Sequence, residues 1–247
     1  MKVAFVGATK GMGRALARQM AVDGDQLFLL GRDRDDLERS ARDLEVRGNR
    51  PAGTFKTAAC DLGTPAGFAF ALDAADAALG DFDTVVITAG LFAPQERLEN
   101  DPAFTEQMLT ANFTGTILLC EEVRKRLLAR GGGTLCVFSS VAGERGRKPV
   151  VLYGAAKAGL SRYLEGLDHK FRTRGLRVVT VKPGFVRTSM TAGLPAPPFA
   201  GEPEAVAQLV MRAIARGKPV VYAPPIWSLI MLVIRLLPRL LMRRLNF

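Results

Sequence analysis

Tyr153 and Lys157 stand four residues apart in the stretch Tyr153-Gly-Ala-Ala-Lys157. On a helix that spacing puts both side chains on one face, one turn apart. An ammonium beside a phenol favours the phenolate, so the pair offers a proton donor and acceptor. A free tyrosine titrates near ~10. A lysine that brought it to about 7 would supply roughly 4 kcal/mol of differential stabilisation, at ~1.36 kcal/mol per pKa unit. A hydroxyl so poised suits general acid–base catalysis near neutral pH. Alone, a Tyr and a Lys at this spacing are more often plain helix surface. The rest of the chain supplies the context.

The N-terminus opens with the short apolar run Lys2–Val6. Gly7-Ala8-Thr9-Lys10-Gly11-Met12-Gly13 follows at once, and then a helical pattern with Leu16, Ala17 and Met20 on one stripe. Strand, glycine turn and helix form the context that a dinucleotide fingerprint requires. Glycines let backbone approach a pyrophosphate, and the helix N-terminus offers free N–H groups and partial positive charge. A tight βα turn without a ligand is the plainer alternative for the turn taken alone.

The spacing G-x-x-x-G-x-G with Tyr-x-x-x-Lys downstream resembles the short-chain dehydrogenase/reductase family over about residues 1–190. Asp61-Leu62 matches the family's pair on the adenine side. Thr88-Ala89-Gly90 stands where the family has Asn-Ala-Gly. Asn112 falls at its active-site Asn, and Ser139 to Gly143 at the strand end that carries its catalytic Ser. Ser140, thirteen residues before Tyr153, is chosen over Ser139. Pro183-Gly184-Phe185-Val186-Arg187-Thr188 matches the segment beside the nicotinamide. The resemblance implies that Asn112, Ser140, Tyr153 and Lys157 are catalytic. It implies coenzyme contacts from Gly7, Thr9, Lys10, Gly11, Met12, Gly13, Arg32, Asp61, Leu62, Ala89, Gly90, Tyr153, Lys157, Pro183, Gly184, Val186 and Thr188. Two residues depart from the pattern: Val6 replaces a Thr and Thr88 replaces the Asn. The family sites support each other, so losing both polar partners together strands no buried polar group.

The elements that must position these residues alternate along the 247-residue chain without a linker. Apolar runs at 2–6, 26–30, 54–59, 83–87, 133–138, 176–181 and 219–222 read as strands. Helical patterns lie near 12–23, 33–47, 65–79, 102–129, 152–173 and 203–216. This is an α/β chain with one Rossmann-type, doubly wound, seven-stranded parallel sheet. Runs such as Thr84-Val85-Val86-Ile87 are apolar throughout, as expected when helices cover both sheet faces. The expected organisation is a coenzyme-binding domain over 1–223, with a substrate loop at about 189–203, and an apolar, Arg-rich C-terminal segment over 224–247. The three cysteines are scattered, which implies a reduced interior, and the one histidine lies on a polar helix. No metal site is expected. The first strand begins at residue 2 and leaves no room for a signal peptide, so a cytoplasmic protein is expected.

Gly31-Arg32-Asp33 follows the second strand. Arg32 suits phosphate oxygens, and Lys10 is a second cation. In the family, basic residues at these places accompany NADP(H), so NADP(H) is preferred here and NAD(H) is the alternative; Asp33 argues the other way. The resemblance implies reduction of a ketone. Tyr153 gives the proton, Ser140 orients the carbonyl, Lys157 lowers the Tyr153 pKa and grips the ribose, and Asn112 holds a water.

The C-terminal segment carries four arginines and no acid, with nine residues, mostly apolar, before Arg235. That is too short to span a bilayer, which needs about 20 residues. An interfacial segment suits it, with Trp227 at the polar boundary and arginines on anionic head groups. A subunit-interface helix is the alternative. The net charge of +10 fits an anionic surface on the cytoplasmic face of the inner membrane. No nucleic-acid reader motif is present. Ser139 to Arg145, Tyr153 to Leu160, Val186 to Met190 and the Arg-rich tail resemble the decaprenylphosphoryl 2-keto-pentose reductases. That resemblance implies a polyprenyl-phosphate-linked 2-keto sugar as substrate, with Arg145, Arg147, Lys148 and Arg187 placed to receive its phosphate. The alternatives are a 3-oxoacyl chain, a 3-keto sphingoid base or another small-molecule ketone, or an NADP(H) sensor without turnover. The long patterns 102–129 and 152–173 resemble the helices through which family members form homodimers and homotetramers.

Overall fold

The computed structural model describes residues 1–245; Asn246 and Phe247, the end of the expected C-terminal segment, lie outside the described residues. Seven strands pair in parallel: β1 (Lys2–Val6), β2 (Gln26–Gly31), β3 (Lys56–Ala59), β4 (Thr84–Ile87), β5 (Gly133–Phe138), β6 (Leu176–Pro183) and β7 (Val220–Ala223). Their order is β3-β2-β1-β4-β5-β6-β7. It reverses between β1 and β4, where a crevice opens beyond the strand ends. The register sets Val6 beside both Leu30 and Ile87. The turns that leave β1, β2 and β4 therefore begin side by side.

Strand alternation feeds two cores. Val3 and Phe5 pack with helices α1 (Gly11–Val22), α2 (Arg34–Arg47) and, late in the chain, Pro203–Arg216. Ala4 and Val6 pack on the other face with α3 (Phe68–Leu79) and the helices at Gly115–Ala129 and Val151–Phe171. These two layers fit the expected doubly wound fold. At α3, the first turn Pro65–Gly67 is a 3-10 turn, so the α-helix starts at Phe68.

Two differences from the expected elements bear on the site. A short helix α4 (Gln95–Asn100) stands in what reads as a loop. The expected helix 102–129 is instead α5 (Pro102–Leu109), a π-turn (Thr110–Thr114) and α6 (Gly115–Ala129). The wider turn has one local cause and one distant one. Thr116 Oγ1 donates to the Ala111 carbonyl at 2.7 Å, five residues back. A Cβ on Gly115 would stand 1.8 Å from the Leu62 carbonyl oxygen, so α6 runs against the β3 exit. Single π-turns of this kind often redirect a functional side chain.

The remaining helices are α7 (Val151–Phe171), α8 (Pro203–Arg216), α9 (Ile226–Leu236) and α10 (Arg239–Arg244). Leu237 is extended before Pro238, as the proline ring requires, and this separates α9 from α10. Among the described residues no helix is long and apolar enough to cross a membrane.

Candidate active site

The glycine turn is built by close approach. Gly7 has φ +96°, and a Cβ there would lie 2.6 Å from Ala89 N. A Cβ on Gly13 would lie 2.1 Å from the Gly7 carbonyl oxygen, so α1 begins directly against the turn. Thr88 Oγ1 donates to the Gly7 carbonyl at 2.9 Å, so the substituted Thr88 holds the turn with Val6 as its apolar neighbour. Lys10 occupies the N-cap of α1, and no side chain caps the helix. The first N–H groups of α1 therefore face the turn, as a phosphate requires.

A cavity of about 680 Å³ follows the strand ends. Gly7, Thr9, Lys10, Arg32, Asp61, Leu62, Ala89 and Gly90 line it, with Cys60, Phe92 and Met190. Gly11 stands beside Thr188, whose methyl lies 3.2 Å from where a Gly11 Cβ would be, so the segment after β6 closes over the turn. Of the expected coenzyme contacts, Gly11, Met12, Gly13, Tyr153, Lys157, Pro183, Gly184, Val186 and Thr188 are not on this wall. Met12 packs beside the α1 core, and Val186 forms an isolated bridge with Gly201. Volume, glycine turn, uncapped helix start and flanking cations fit a nicotinamide dinucleotide.

Arg32 is exposed and, among the described residues, makes no ion pair or hydrogen bond. Asp33 accepts from Asp36 N at 2.8 Å as the N-cap of α2. Its carboxylate is committed to the helix, which weakens the objection it raised to NADP(H). Lys10 pairs with Asp36 at 3.0 Å. Lys10 and Arg39 hold the Asp36 carboxyl below the usual carboxylate range.

Ser140, Tyr153 and Lys157 meet at the end of β5. The Tyr153 hydroxyl neighbours Ser140, whose side chain favours the phenolate. Ser140 Oγ also accepts from Ala142 N at 3.0 Å, which fixes its rotamer. Ser139 turns the other way, donating to the Lys157 carbonyl at 3.0 Å and meeting Ser161 Oγ at 2.7 Å. The choice of Ser140 over Ser139 thus has a geometric reason: Ser139 ties the strand end to α7. Lys157 is buried, donates to the Phe138 carbonyl at 3.0 Å and lies 5.8 Å from the Tyr153 ring centroid.

Asn112, on the π-turn, is fully buried. Its Oδ1 accepts from Leu91 N at 2.8 Å and its Nδ2 donates to the Leu91 carbonyl at 2.6 Å. A Cβ on Gly90 would be 2.8 Å from Asn112 Oδ1 and 3.7 Å from Lys157 Nζ, so both side chains border Gly90.

The electrostatics correct one expectation. Tyr153 is not brought toward 7. Burial pushes its hydroxyl up to about 12, and the neighbouring Ser140 side chain only partly opposes this. Burial pushes Lys157 down to about 8. The ammonium is aimed at the Phe138 carbonyl and over the Tyr153 ring rather than at the phenolic oxygen, so the spacing rule gives the shared face but not the pKa.

Several site residues carry no sequence signal. Phe92 meets Tyr153 edge-on at 5.1 Å between ring centroids. Gln95 of α4 accepts from Leu152 N at 3.1 Å at the start of α7. Trp227 packs over Gly184: a Cβ there would lie 2.1 Å from its Nε1, which donates to the Phe199 carbonyl at 3.4 Å. Met231 and Ile234 of α9 pack on Val141. Arg235 Nη1 lies 3.2 Å from Glu144, which also pairs with Lys182. Arg145 donates to the Leu237 carbonyl at 2.9 Å. The C-terminal segment is therefore docked beside the loop that carries Ser140. Arg145, Arg147 and Lys148 line one cavity, whereas Arg187 pairs with Glu202 elsewhere. The four cations do not form a single group.

Comparison with known proteins agrees with this geometry. The family described as short chain dehydrogenase matches residues 2–197. An uncharacterized oxidoreductase of Mycobacterium tuberculosis is 34% identical over 244 residues, covering 98% of this chain and 96% of its own length. Carbonyl reductase family member 4 of Xenopus laevis is 27% identical over 217 residues, covering 84% of this chain and 88% of its own. The crystal structure of a short chain dehydrogenase from Mycobacterium paratuberculosis bound to NAD superposes with TM-score 0.78 at 26% identity, over 89% of this chain and 95% of that one. The chain is a member of the short-chain dehydrogenase/reductase family, an oxidoreductase on a Rossmann-type fold.

Proposed function

We propose that the chain reduces a ketone to a secondary alcohol with NADPH. The observation that carries this reading is the grouping of Ser140 and Tyr153 beside buried Lys157, at the end of the strand next to the dinucleotide cavity. A bound reduced nicotinamide would supply the hydride. A substrate carbonyl oxygen between Ser140 and Tyr153 receives two donors where negative charge develops. Tyr153 then transfers its proton to the new alkoxide. A pKa near 12 keeps the hydroxyl protonated at rest, which favours the reductive direction. Lys157, held by Phe138, stands on the same helix face to bind ribose hydroxyls and to return a proton toward Tyr153. Asn112 fixes Leu91 and borders Gly90, and so shapes the floor on which Lys157 rests. Unpaired Arg32 supports NADP(H) over NAD(H), since a 2′-phosphate would give it the partner it lacks.

The substrate is proposed to be membrane-borne, such as a polyprenyl-phosphate-linked 2-keto sugar. Support comes from the outer face of α9 and α10, where Leu229, Leu232, Val233, Leu236 and Leu240 are exposed in a segment without an acid. Met190, Leu194 and Phe199 of the loop after β6 are exposed as well. An apolar face flanked by arginines suits an interfacial segment against anionic lipid, peripheral to the membrane. The apolar loop equally favours a second reading, a 3-oxoacyl or 3-keto sphingoid ketone. Pairing of chains through α6 and α7, as a homodimer or homotetramer, is proposed on exposed Leu118 and on family resemblance.

The test follows NADPH absorbance with a panel of keto sugars, 3-oxoacyl chains and simple ketones, with and without lipid vesicles. Turnover with one class and NADPH supports the reading. Absence of turnover with every class, while NADPH binds, would leave a coenzyme sensor instead.

A further inference from the structure

A second cavity, of about 820 Å³, lies behind the Ser140 loop and shares no lining residue with the dinucleotide cavity. Its walls are the loop 142–148, the outward side of α7 and the helix α10. Six cationic side chains line it: Arg145, Arg147, Lys148, Arg162, Arg239 and Arg243. The one acid on its wall, Glu144, is already engaged by Lys182 and Arg235. Arg162 pairs with Glu165, outside the lining. Arg145, Arg147, Arg239 and Arg243 have no carboxylate partner among the described residues. Such a concentration of one sign against a partly enclosed wall raises the local anion concentration.

Arg147 makes the case specific. Its Nε is buried and has no hydrogen-bond partner. Burial alone lowers its pKa, because no acid offsets the loss of water. A buried guanidinium N–H without an acceptor is costly, and its fork geometry matches phosphate oxygens. Across the cavity, Arg239 and Arg243 stand four residues apart on α10 and both face inward. Facing arginines on the two sides of one cavity clamp an anion better than a flat basic surface does.

We infer that this cavity is a binding site for a phosphate group, distinct from the coenzyme's phosphates. A free phosphate or pyrophosphate, or the headgroup phosphate of an anionic lipid, has the required chemistry. Met242 and Leu245 line the rim and Leu240 lies exposed on the same short helix, so a headgroup would keep its chains beside apolar surface. The site does not depend on the ketoreductase reading, since its residues touch neither the Tyr153 hydroxyl nor the glycine turn.

The experiment uses the full chain saturated with NADPH, so that the coenzyme's phosphate subsites are filled. The variants are Arg147→Gln and the double variant Arg239→Gln/Arg243→Gln, whose two residues are exposed and so keep the test open if Arg147→Gln folds poorly. One arm measures the thermal midpoint with sodium pyrophosphate against chloride of equal ionic strength. At a hundredfold excess over Kd the wild type is expected to gain about 5–10 °C, and the variants less than about 2 °C. The other arm measures cosedimentation with phosphatidylcholine vesicles, with and without phosphatidylglycerol. Retention only by phosphatidylglycerol vesicles, reduced at least about tenfold in the double variant, assigns the site to lipid headgroups. A specific pyrophosphate shift without such retention assigns it to free phosphate. No response in either arm, or equal responses in wild type and variants, overturns the inference. Ketone turnover is assayed separately, so failure of this site and failure of the catalytic reading remain distinguishable.

Discussion

Replacing Lys157 with methionine should stabilise the coenzyme-free protein at neutral pH while abolishing turnover. Burial takes the lysine from 10.5 to about 8. That difference of about 2.5 units corresponds to roughly 3 kcal/mol, at ~1.36 kcal/mol per unit, by which the charged form weakens the fold below pH 8. Methionine removes the charge and fills a similar volume. It also loses the charged hydrogen bond to the Phe138 carbonyl, at a cost of about 1.5–3 kcal/mol. The net gain is about 0.5–2 kcal/mol, or about 1–8 °C for a chain of this size. The pH dependence follows from the direction of the shift. Between pH 8 and 10.5 the unfolded chain holds a proton that the folded protein has released, so wild-type stability from this group rises with pH. The variant has no such term, and its advantage should be fullest below pH 8 and shrink steadily above it. Urea denaturation of both proteins at constant ionic strength, from pH 6.5 to 10, measures this. A variant that is several kcal/mol less stable at pH 7, or an advantage that does not shrink above pH 8, would refute the reasoning that burial governs this lysine.

Three further predictions use other parts of the site. Arg32→Ala should raise KM for NADPH by about 10–100-fold and leave KM for NADH within about twofold, since a charged hydrogen bond is worth about 1.5–3 kcal/mol; steady-state kinetics with both coenzymes check this. Asn112→Ala removes both partners of the Leu91 backbone and should cost about 2–5 kcal/mol in urea denaturation, with a loss below about 1 kcal/mol counting against its bracing role. Leu229→Glu/Val233→Glu on the outer face of α9 should leave stability within about 0.5 kcal/mol and abolish vesicle cosedimentation if that face meets lipid.

The sheet was legible because most strands are short apolar runs, β3 (Lys56–Ala59) excepted, and because the glycine turn follows the first of them directly. The Tyr153–Lys157 face was legible for the same reason: helix spacing is a local property. What escaped was set by contacts between distant segments. The π-turn at Thr110–Thr114 depends on Leu62 and Ala111 carbonyls, which leave no trace in side-chain periodicity. Ser139 and Ser140 look alike in the sequence; only the closeness of Ser161 and the Lys157 carbonyl separates them. The C-terminal segment read as apolar and basic, which it is, but its inner face is docked on Val141 and Gly184, and only the outer face is open. The pKa of Tyr153 went the other way because distance along a helix does not report where an ammonium points or how far water is excluded.

The central claim is that the Tyr153 hydroxyl delivers a proton to a substrate oxygen while Ser140 holds it, beside a bound reduced nicotinamide. Tyr153→Phe tests this most directly, with turnover followed by NADPH absorbance and NADPH affinity measured by fluorescence titration on the same preparation. The account predicts a fall in kcat of about 10²–10⁴-fold with the NADPH Kd unchanged within about twofold. A variant that turns over within about tenfold of wild type would contradict it.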